Sequence, residues 1–358
     1  MPKRICILHD FFFSAGGGEK LVLTLARAFG AEIYTTHVEN SVLKNLGFGD
    51  VHVHSIGDLP SNQFLAAEVA TFWYSTLKLK KKYDVYILSG NWAHCAALHH
   101  HPNIFYCHTP VRYFYDSRER FLKNFNPFFR SFLRTAIHVQ SMYDRYTVKH
   151  ADLIVANSRN VQQRIKKYYG RDAIVVHQPV VTKKYRFEKI GNYWISVNRI
   201  TPDKRIELQC EIFRRLKDEK LIVVGRVERQ AREYFASLNP PENVKFLGEC
   251  SEEELINLYA NCKGLITTAI DEDFGITPLE AMASGKVVLA VNEGGYRETV
   301  IDGITGWLLP PDPDAFVQKI KEVEEKRLLE MREQCIAQAK KYDVQVFIEE
   351  MKELIEKL

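Results

Sequence analysis

Short runs of β-branched, aromatic and other apolar residues alternate with helix-length segments along the chain, and that alternation narrows the fold more than any other feature. In the first half the runs fall at residues 4–9, 85–89, 103–108, 152–158 and 173–179. In the second they fall at 193–199, 220–225, 243–248, 264–269, 286–291 and 306–309. They are apolar almost without interruption, so both faces of each strand must be covered, which parallel sheets flanked by helices achieve. The polar and basic residues 180–192 separate the two sets as a linker. A length of 358 residues also exceeds the ~100–200 residues that one hydrophobic core usually organises. The reading is α/β, with two Rossmann-like domains, residues 1–185 and 190–342, facing each other across a cleft.

Helical periodicity agrees. Ile206, Cys210, Phe213 and Leu216 fall on one face directly after a strand. Phe347, Met351, Leu354, Ile355 and Leu358 form a second stripe behind Asp343, a candidate N-cap, and this helix, 343–358, is expected to pack back on the first domain. Hydrophobic residues make up 46% and charged residues 26% of the chain, which excludes wholesale disorder. No apolar stretch approaches the roughly 18–20 residues of a membrane span, and no secretory signal is read at the start. Seven scattered cysteines without a CxxC pair argue against a disulfide framework or zinc ribbon and fit a reducing, cytoplasmic setting. The charge is lopsided. Residues 1–190 carry 26 Lys+Arg against 14 Asp+Glu, whereas the rest carry 23 against 31. Such asymmetry points to an anionic surface met by the first half, either membrane or polyphosphate, or to ordinary solvated charge.

Four local patterns carry chemistry. Gly16-Gly17-Gly18 stands at a strand-to-helix turn, where backbone N–H groups at the positive end of a helix suit a phosphate or sugar; a tight turn alone is the plainer reading. Gly294-Gly295 repeats the arrangement after a later strand. Glu272 and Glu280 lie eight residues apart around Gly275 and Pro278, with Pro278 in the first turn of a helix whose first turn also includes Glu280. Two carboxylates there offer acceptors for pairs of sugar hydroxyls, or simply complement the helix dipole. Arg199 and Lys204 stand five residues apart at a strand end, where two cations can gather on a diphosphate and neutralise charge on a leaving group.

Together these motifs resemble a known family. Phe274-Gly-Ile-Thr-Pro-Leu-Glu-Ala-Met-Ala-Ser-Gly285, with Glu272, is similar to the E-x7-E region of retaining, nucleotide-sugar-dependent glycosyltransferases of the GT-B fold, family 4. Gly16-Gly17-Gly18-Glu19 resembles the family's GG-x-E loop, Arg199 with Lys204 its R-x4-K pair, and Asn292-Glu-Gly-Gly295 with Glu298 its later glycine-rich loop. Tyr106-Cys-His-Thr-Pro-Val-Arg-Tyr113 is similar to the HTP-x-RY stretch of mannosyltransferases in polysaccharide and O-antigen assembly.

The resemblance implies a set of roles. Arg199, Lys204, Glu272 and His108 form the catalytic group, with the two cations on the diphosphate and Glu272 and His108 on the transferred sugar. Glu280 holds the ribose, and Gly16, Gly17, Gly275, Gly294 and Gly295 complete the nucleotide-sugar pocket, while Arg112 faces the acceptor. The implied donor is GDP-mannose, the acceptor a lipid-linked saccharide or related glycan, and the route front-face displacement without a cofactor or metal. Asp271-Glu-Asp273 formally contains D-x-D, a metal motif of other transferases, and is read as coincidence inside the E-x7-E context.

Residues 111–150 add eight Lys+Arg against three acids, with many aromatics. Phe129, Phe132, Leu133, Ala136 and Ile137 are expected to form one apolar helical face, with Arg130 and Arg134 off it. This is either a core helix with a basic outer side or a surface for an anionic membrane, extended by Phe72-Trp-Tyr74 and Lys78–Lys82. The resemblance favours a peripheral protein at the inner face of the cell membrane. The alternatives are a GT-B enzyme using a UDP-sugar and a non-catalytic membrane or polyanion binder; no nucleic-acid-binding signature is present.

Overall fold

The computed structural model describes residues 3–12, 16–60, 63–123 and 125–358. The chain divides into two compact units, Met1–His177 with Ile348–Leu358, and Gln178–Phe347.

The first unit is built on a seven-stranded parallel sheet in the order β3-β2-β1-β4-β5-β6-β7. Its strands are β1 (Ile5–His9), β2 (Glu32–Thr35), β3 (Val53–Ser55), β4 (Val85–Ser89), β5 (Asn103–Cys107), β6 (Leu153–Ala156) and β7 (Ile174–Val175). Every residue of β1, β4 and β5 is buried, as both-face coverage demands of central parallel strands. The apolar-run criterion missed β2 and β3. These edge-side strands are short and alternate polar with apolar residues, because one face of β2 is only half buried and β3 is largely exposed.

The second unit carries a six-stranded parallel sheet in the order β10-β9-β8-β11-β12-β13. All six expected runs are present, as β8 (Trp194–Val197), β9 (Leu221–Val224), β10 (Val244–Gly248), β11 (Gly264–Thr267), β12 (Val287–Val291) and β13 (Gly306–Leu309). The helix Ile206–Arg215 buries Ile206, Cys210 and Phe213, as its periodicity requires. Residues 180–192 are not a free linker. Phe187 lies under both the Lys286 ammonium (4.1 Å to the ring centre) and the Arg332 guanidinium (4.3 Å), and Lys286 Nζ donates to the Lys189 carbonyl. The helix Val344–Lys357 starts at Asp343, whose Oδ1 accepts from Gln345 N at 3.0 Å. Its last turns belong to the first unit, where Lys3 Nζ donates to Ile355 O at 2.9 Å.

Strand order reverses between β1 and β4 in one sheet and between β8 and β11 in the other. In doubly wound sheets the crevice at the carboxyl ends of such strands is where ligands bind. In the first unit Asp10 secures that place, because its carboxylate accepts from the backbone of Asn91, Trp92 and Ala93 at 2.5, 2.9 and 2.8 Å. Gly90, at φ +122°, has no room for a Cβ, which would fall 2.3 Å from the Asp10 carboxyl carbon. Asp10→Ala would orphan three donors beside the core and is expected to cost at least about 3 kcal/mol, read from chemical denaturation of the full chain.

Candidate active site

In the second unit, three loops that follow β8, β11 and β12 converge on Glu272. Lys204 ends a short 3-10 turn, Pro202–Lys204, and its Nζ lies 2.6 Å from Glu272 Oε2 and 3.9 Å from Asp203 Oδ2. Burial works against the Lys204 charge, but the carboxylates of Glu272 and Asp203 outweigh it and hold the ammonium above its ordinary pKa. Thr268 Oγ1 donates to Lys204 O at 2.7 Å and Ile270 N to Asp203 O at 2.8 Å, so the loop after β11 fixes the lysine's backbone. Arg205, next in sequence, donates to Glu293 Oε1 at 3.0 Å, and Glu293 Oε2 accepts from Asp271 N at 3.3 Å.

The third loop is pressed against the second. Gly295 N donates to Glu272 O at 2.8 Å. A Cβ on Gly294 would meet the Glu272 carbonyl at 2.4 Å, and one on Gly295 would meet Phe274 Cα at 2.4 Å. Gly294 also sits at φ +54°, so this contact is made of backbone that no side chain can share. Behind it, Tyr296 is fully buried and its hydroxyl reaches both Thr267 Oγ1 and Glu272 Oε2 (3.4 Å to the latter).

Arg199 and Glu280 flank this centre. Arg199 keeps 64% of its side chain exposed, stands 3.7 Å from Glu228 Oε1, and bears electrostatically on Lys204. Glu280 lies on the helix Ile276–Ala283, which Gly275 caps. The helix starts at Ile276, so Pro278 lies in its first turn as expected, but Glu280, its fifth residue, falls in the second turn. There the Glu280 carboxylate meets the Tyr259 hydroxyl at 2.9 Å and lies within hydrogen-bonding reach of Tyr185. The two glutamates therefore occupy different settings, one beside a cation and one between phenols.

In the first unit the carboxyl ends of β1, β4 and β5 bring together His9, Ser89 and His108. His108 Nε2 is 2.9 Å from Ser89 Oγ, and His9 Nδ1 is 3.1 Å from Ser89 O and 3.3 Å from Ser89 Oγ. A carbonyl only accepts, so His9 Nδ1 carries a proton. The Ser89 hydroxyl can donate to His108 Nε2 or accept from it; donation leaves the His108 proton on Nδ1 and makes the ring a donor there. Burial lowers the His108 pKa to about 4, and burial with the neighbouring His108 lowers that of His9 to about 3, so both rings are neutral near pH 7. Gly16 caps the helix Gly17–Phe29, and a Cβ on Gly18 would lie 3.5 Å from His108. Phe13–Ala15 of this glycine loop lie outside the described residues.

With the fold and both carboxyl edges described, the chain can be set beside known proteins. Residues 178–342 match the family model for glycosyl transferases group 1, and residues 15–184 match that for glycosyltransferase family 4. The chain belongs to the family 4 glycosyltransferases of the GT-B fold. It is 26% identical to the alpha-1,3/1,6-mannosyltransferase ALG2 of Dictyostelium discoideum over 89% of each chain. It is 29% identical to its Schizosaccharomyces pombe counterpart over 87% of this chain and 71% of that one. Among solved structures, the Anabaena protein HepE in complex with UDP and glucose superposes with a TM-score of 0.76 at 18% identity, covering 99% of this chain and all of that one. Sucrose-phosphate synthase from Thermosynechococcus elongatus gives 0.77 at 16% identity, covering 99% and 98%.

Within this glycosyltransferase the expected site residues divide into groups. Lys204, Glu272, Gly275, Gly294 and Gly295 are brought together, with Arg199 at their margin and Glu280 in the adjacent phenol setting. Arg112 pairs with Asp116 at 2.9 Å, Arg130 donates to the carbonyls of Phe125 and Lys123, and Arg134 pairs with Glu119 at 3.0 Å. Sequence reasoning missed His9, Ser89, Tyr296 and Glu293. The one available signal was position, since all four stand at or just beyond the carboxyl end of a strand. No group of three or more metal-ligating side chains occurs among the described residues.

The two depressed histidines make the first unit acid-sensitive. As pH falls from 6.5 toward 4, the unfolded chain takes up protons that the folded one refuses, so stability declines over that window. Asp10, raised by burial to about 6, acts in the opposite sense. His108→Gln is expected to flatten the acid loss, measured as denaturation midpoint against pH. Nitrogen-15 spectra should place the His108 proton on Nδ1, and Ser89→Ala should release that preference.

Proposed function

We propose that this glycosyltransferase is a retaining mannosyltransferase that moves mannose from GDP-mannose to a lipid-linked saccharide. The observation that carries the reading is the Lys204–Glu272 pair beside Arg199 at the reversal point of the second sheet, a cationic grip next to a sugar-binding carboxylate. The mannosyl assignment is supported by relatives named as mannosyltransferases along most of the chain. Lys204 and Arg199 hold the diphosphate, Glu272 takes hydroxyls of the sugar and Glu280 those of the ribose. His108, neutral and donating from Nδ1, suits a sugar hydroxyl and does not suit proton abstraction.

Chemistry then proceeds by orientation and charge stabilisation. The bond from the sugar's anomeric carbon to the phosphate oxygen breaks while a bond to the acceptor oxygen forms on the same face. The acceptor proton passes to the departing phosphate oxygen. Growing negative charge on the diphosphate falls to Lys204 and Arg199. No metal is required in this scheme, and the protein works at the inner face of the cell membrane; no helix among the described residues is long and apolar enough to span a bilayer.

In a thermal-shift panel of GDP-, UDP- and ADP-sugars, GDP-mannose should stabilise most; a UDP-sugar doing so would replace the donor. Lys204→Ala should lower turnover by about 10²-fold or more while weakening GDP binding far less. Equal losses in both would exclude a leaving-group role. Turnover should persist in excess EDTA, and abolition restored by manganese would overturn metal independence.

A further inference from the structure

The first unit contains a cavity beside the turn that follows β4. It measures about 510 Å³ and lies between the helices Gln63–Thr76 and Pro127–Val148, above the 3-10 turn Ala93–Leu98. That volume falls in the range of small-molecule sites. Phe72, Trp92, Phe114, Val139 and Tyr143 are among the residues that line it.

Among the polar side chains that line it, Thr71, Ser75, Thr76 and Tyr143 are matched to backbone carbonyls or to one another, while Glu68, which burial holds above its ordinary pKa, and Gln140 line it as well. Thr71 Oγ1 donates to Ala67 O at 2.8 Å, Thr76 Oγ1 to Phe72 O at 2.9 Å and Ser75 Oγ to Thr71 O at 2.6 Å. Tyr143 gives its proton to Ser75 Oγ at 2.7 Å. On the floor, His94 Nε2 stands 3.1 Å from Asp144 Oδ1, with Asp144 Oδ2 accepting from Tyr115 at 2.6 Å. What the cavity offers an occupant is mainly carbon.

Its mouth opens onto an apolar surface. The sequence places Phe129 and Phe132 on one face with Leu133, Ala136 and Ile137, but the helix divides them. Leu133 and Ile137 are buried, whereas Phe128, Phe132, Val139, Met142 and Tyr146 recur along one line with exposures of 93, 66, 59, 54 and 50%. Val139 belongs both to this line and to the cavity, as does Phe72, 64% exposed on the facing helix. Tyr74, expected to extend the surface, is buried instead and donates to His9 O. Arg134, Arg145 and Lys149 follow along one flank of the stripe, and Lys78, Lys80 and Lys82 trail the facing helix. A continuous exposed apolar stripe with cations at its edge fits a surface of lipid phosphates over hydrocarbon.

We propose that this cavity takes the hydrocarbon chain of the acceptor lipid, which enters from the bilayer along the Val139 stripe while the flanking cations meet the lipid's phosphate. The inference rests on the lipid-linked acceptor of the proposed function and adds the place where its chain is held. An apolar metabolite arriving from water fits less well, because the mouth adjoins the stripe that the membrane would cover.

The test uses the full chain with a photoreactive diazirine analogue of farnesyl phosphate in phosphatidylcholine vesicles doped with phosphatidylglycerol. Label should map to peptides of the two helices. Thr71→Trp, which fills the cavity, should cut labelling by about tenfold or more, while vesicle co-sedimentation stays near the wild-type level. Val139→Glu, at an exposed position, should reduce both, and it decides the matter if the tryptophan variant fails to fold. Label confined to other segments, or undiminished in both variants, overturns the proposal. A wild-type chain stabilised by GDP-mannose but not labelled on these helices overturns this inference alone. A chain labelled there but stabilised by no nucleotide sugar supports the cavity and overturns the donor reading.

Discussion

The second unit is organised around one electrostatic contact, the Lys204 ammonium held 2.6 Å from the Glu272 carboxylate. Neither group could be placed by its own loop. Thr268 and Ile270 fix the lysine's backbone, and Gly295 fixes the carbonyl of Glu272. Opposite charges close together at a partly buried site raise the cost of neutralising either one, so the lysine remains a cation despite its burial. The fold secures that charge by packing three strand-end loops into one junction.

The first unit meets its own carboxyl edge with the reverse strategy. His9 and His108 are neutral, joined through Ser89, and stand beside Asp10, whose carboxylate is absorbed by three backbone donors. The net charge of this half is nonetheless strongly positive. Cations follow the long helix Pro127–Val148 and the segment after Gln63–Thr76. Charge density and hydrogen-bonding precision thus occupy different parts of one Rossmann-like unit.

What could be read from the sequence followed from how strongly each feature is written there. Fully buried parallel strands leave continuous apolar runs, which made β11 and β12 plain, and the less covered β10 and β13 were legible from their apolar and aromatic residues alone. Lys204 and Glu272 were legible as members of spaced motifs. Glu32-Ile-Tyr-Thr35 was not, because a strand covered on one side resembles ordinary loop composition. Periodicity placed Phe129, Phe132, Leu133, Ala136 and Ile137 on one apolar face but did not show which of them meet the core. Phe132 and Leu133 are equally apolar in a list of residues, and only the packing of Leu133 with Val111, Phe114 and Leu122 separates them. The Ser89 bridge left no sequence trace, since its partners lie 80 and 19 positions away.

The path of the chain has a bearing on how this molecule is made. Residues 178–347 form a contiguous unit, but the first unit includes residues 348–358. Met351, Leu354 and Ile355 are buried there, and Lys3 is tied to the carbonyl of Ile355. During translation the unit that begins first must therefore finish last, with part of its apolar surface uncovered while the whole intervening unit is synthesised and folds. A ribosome stalled before residue 348 would hold a completed C-terminal sheet beside an N-terminal one still lacking its final helix turns, a state in which holdase chaperones would find their substrate.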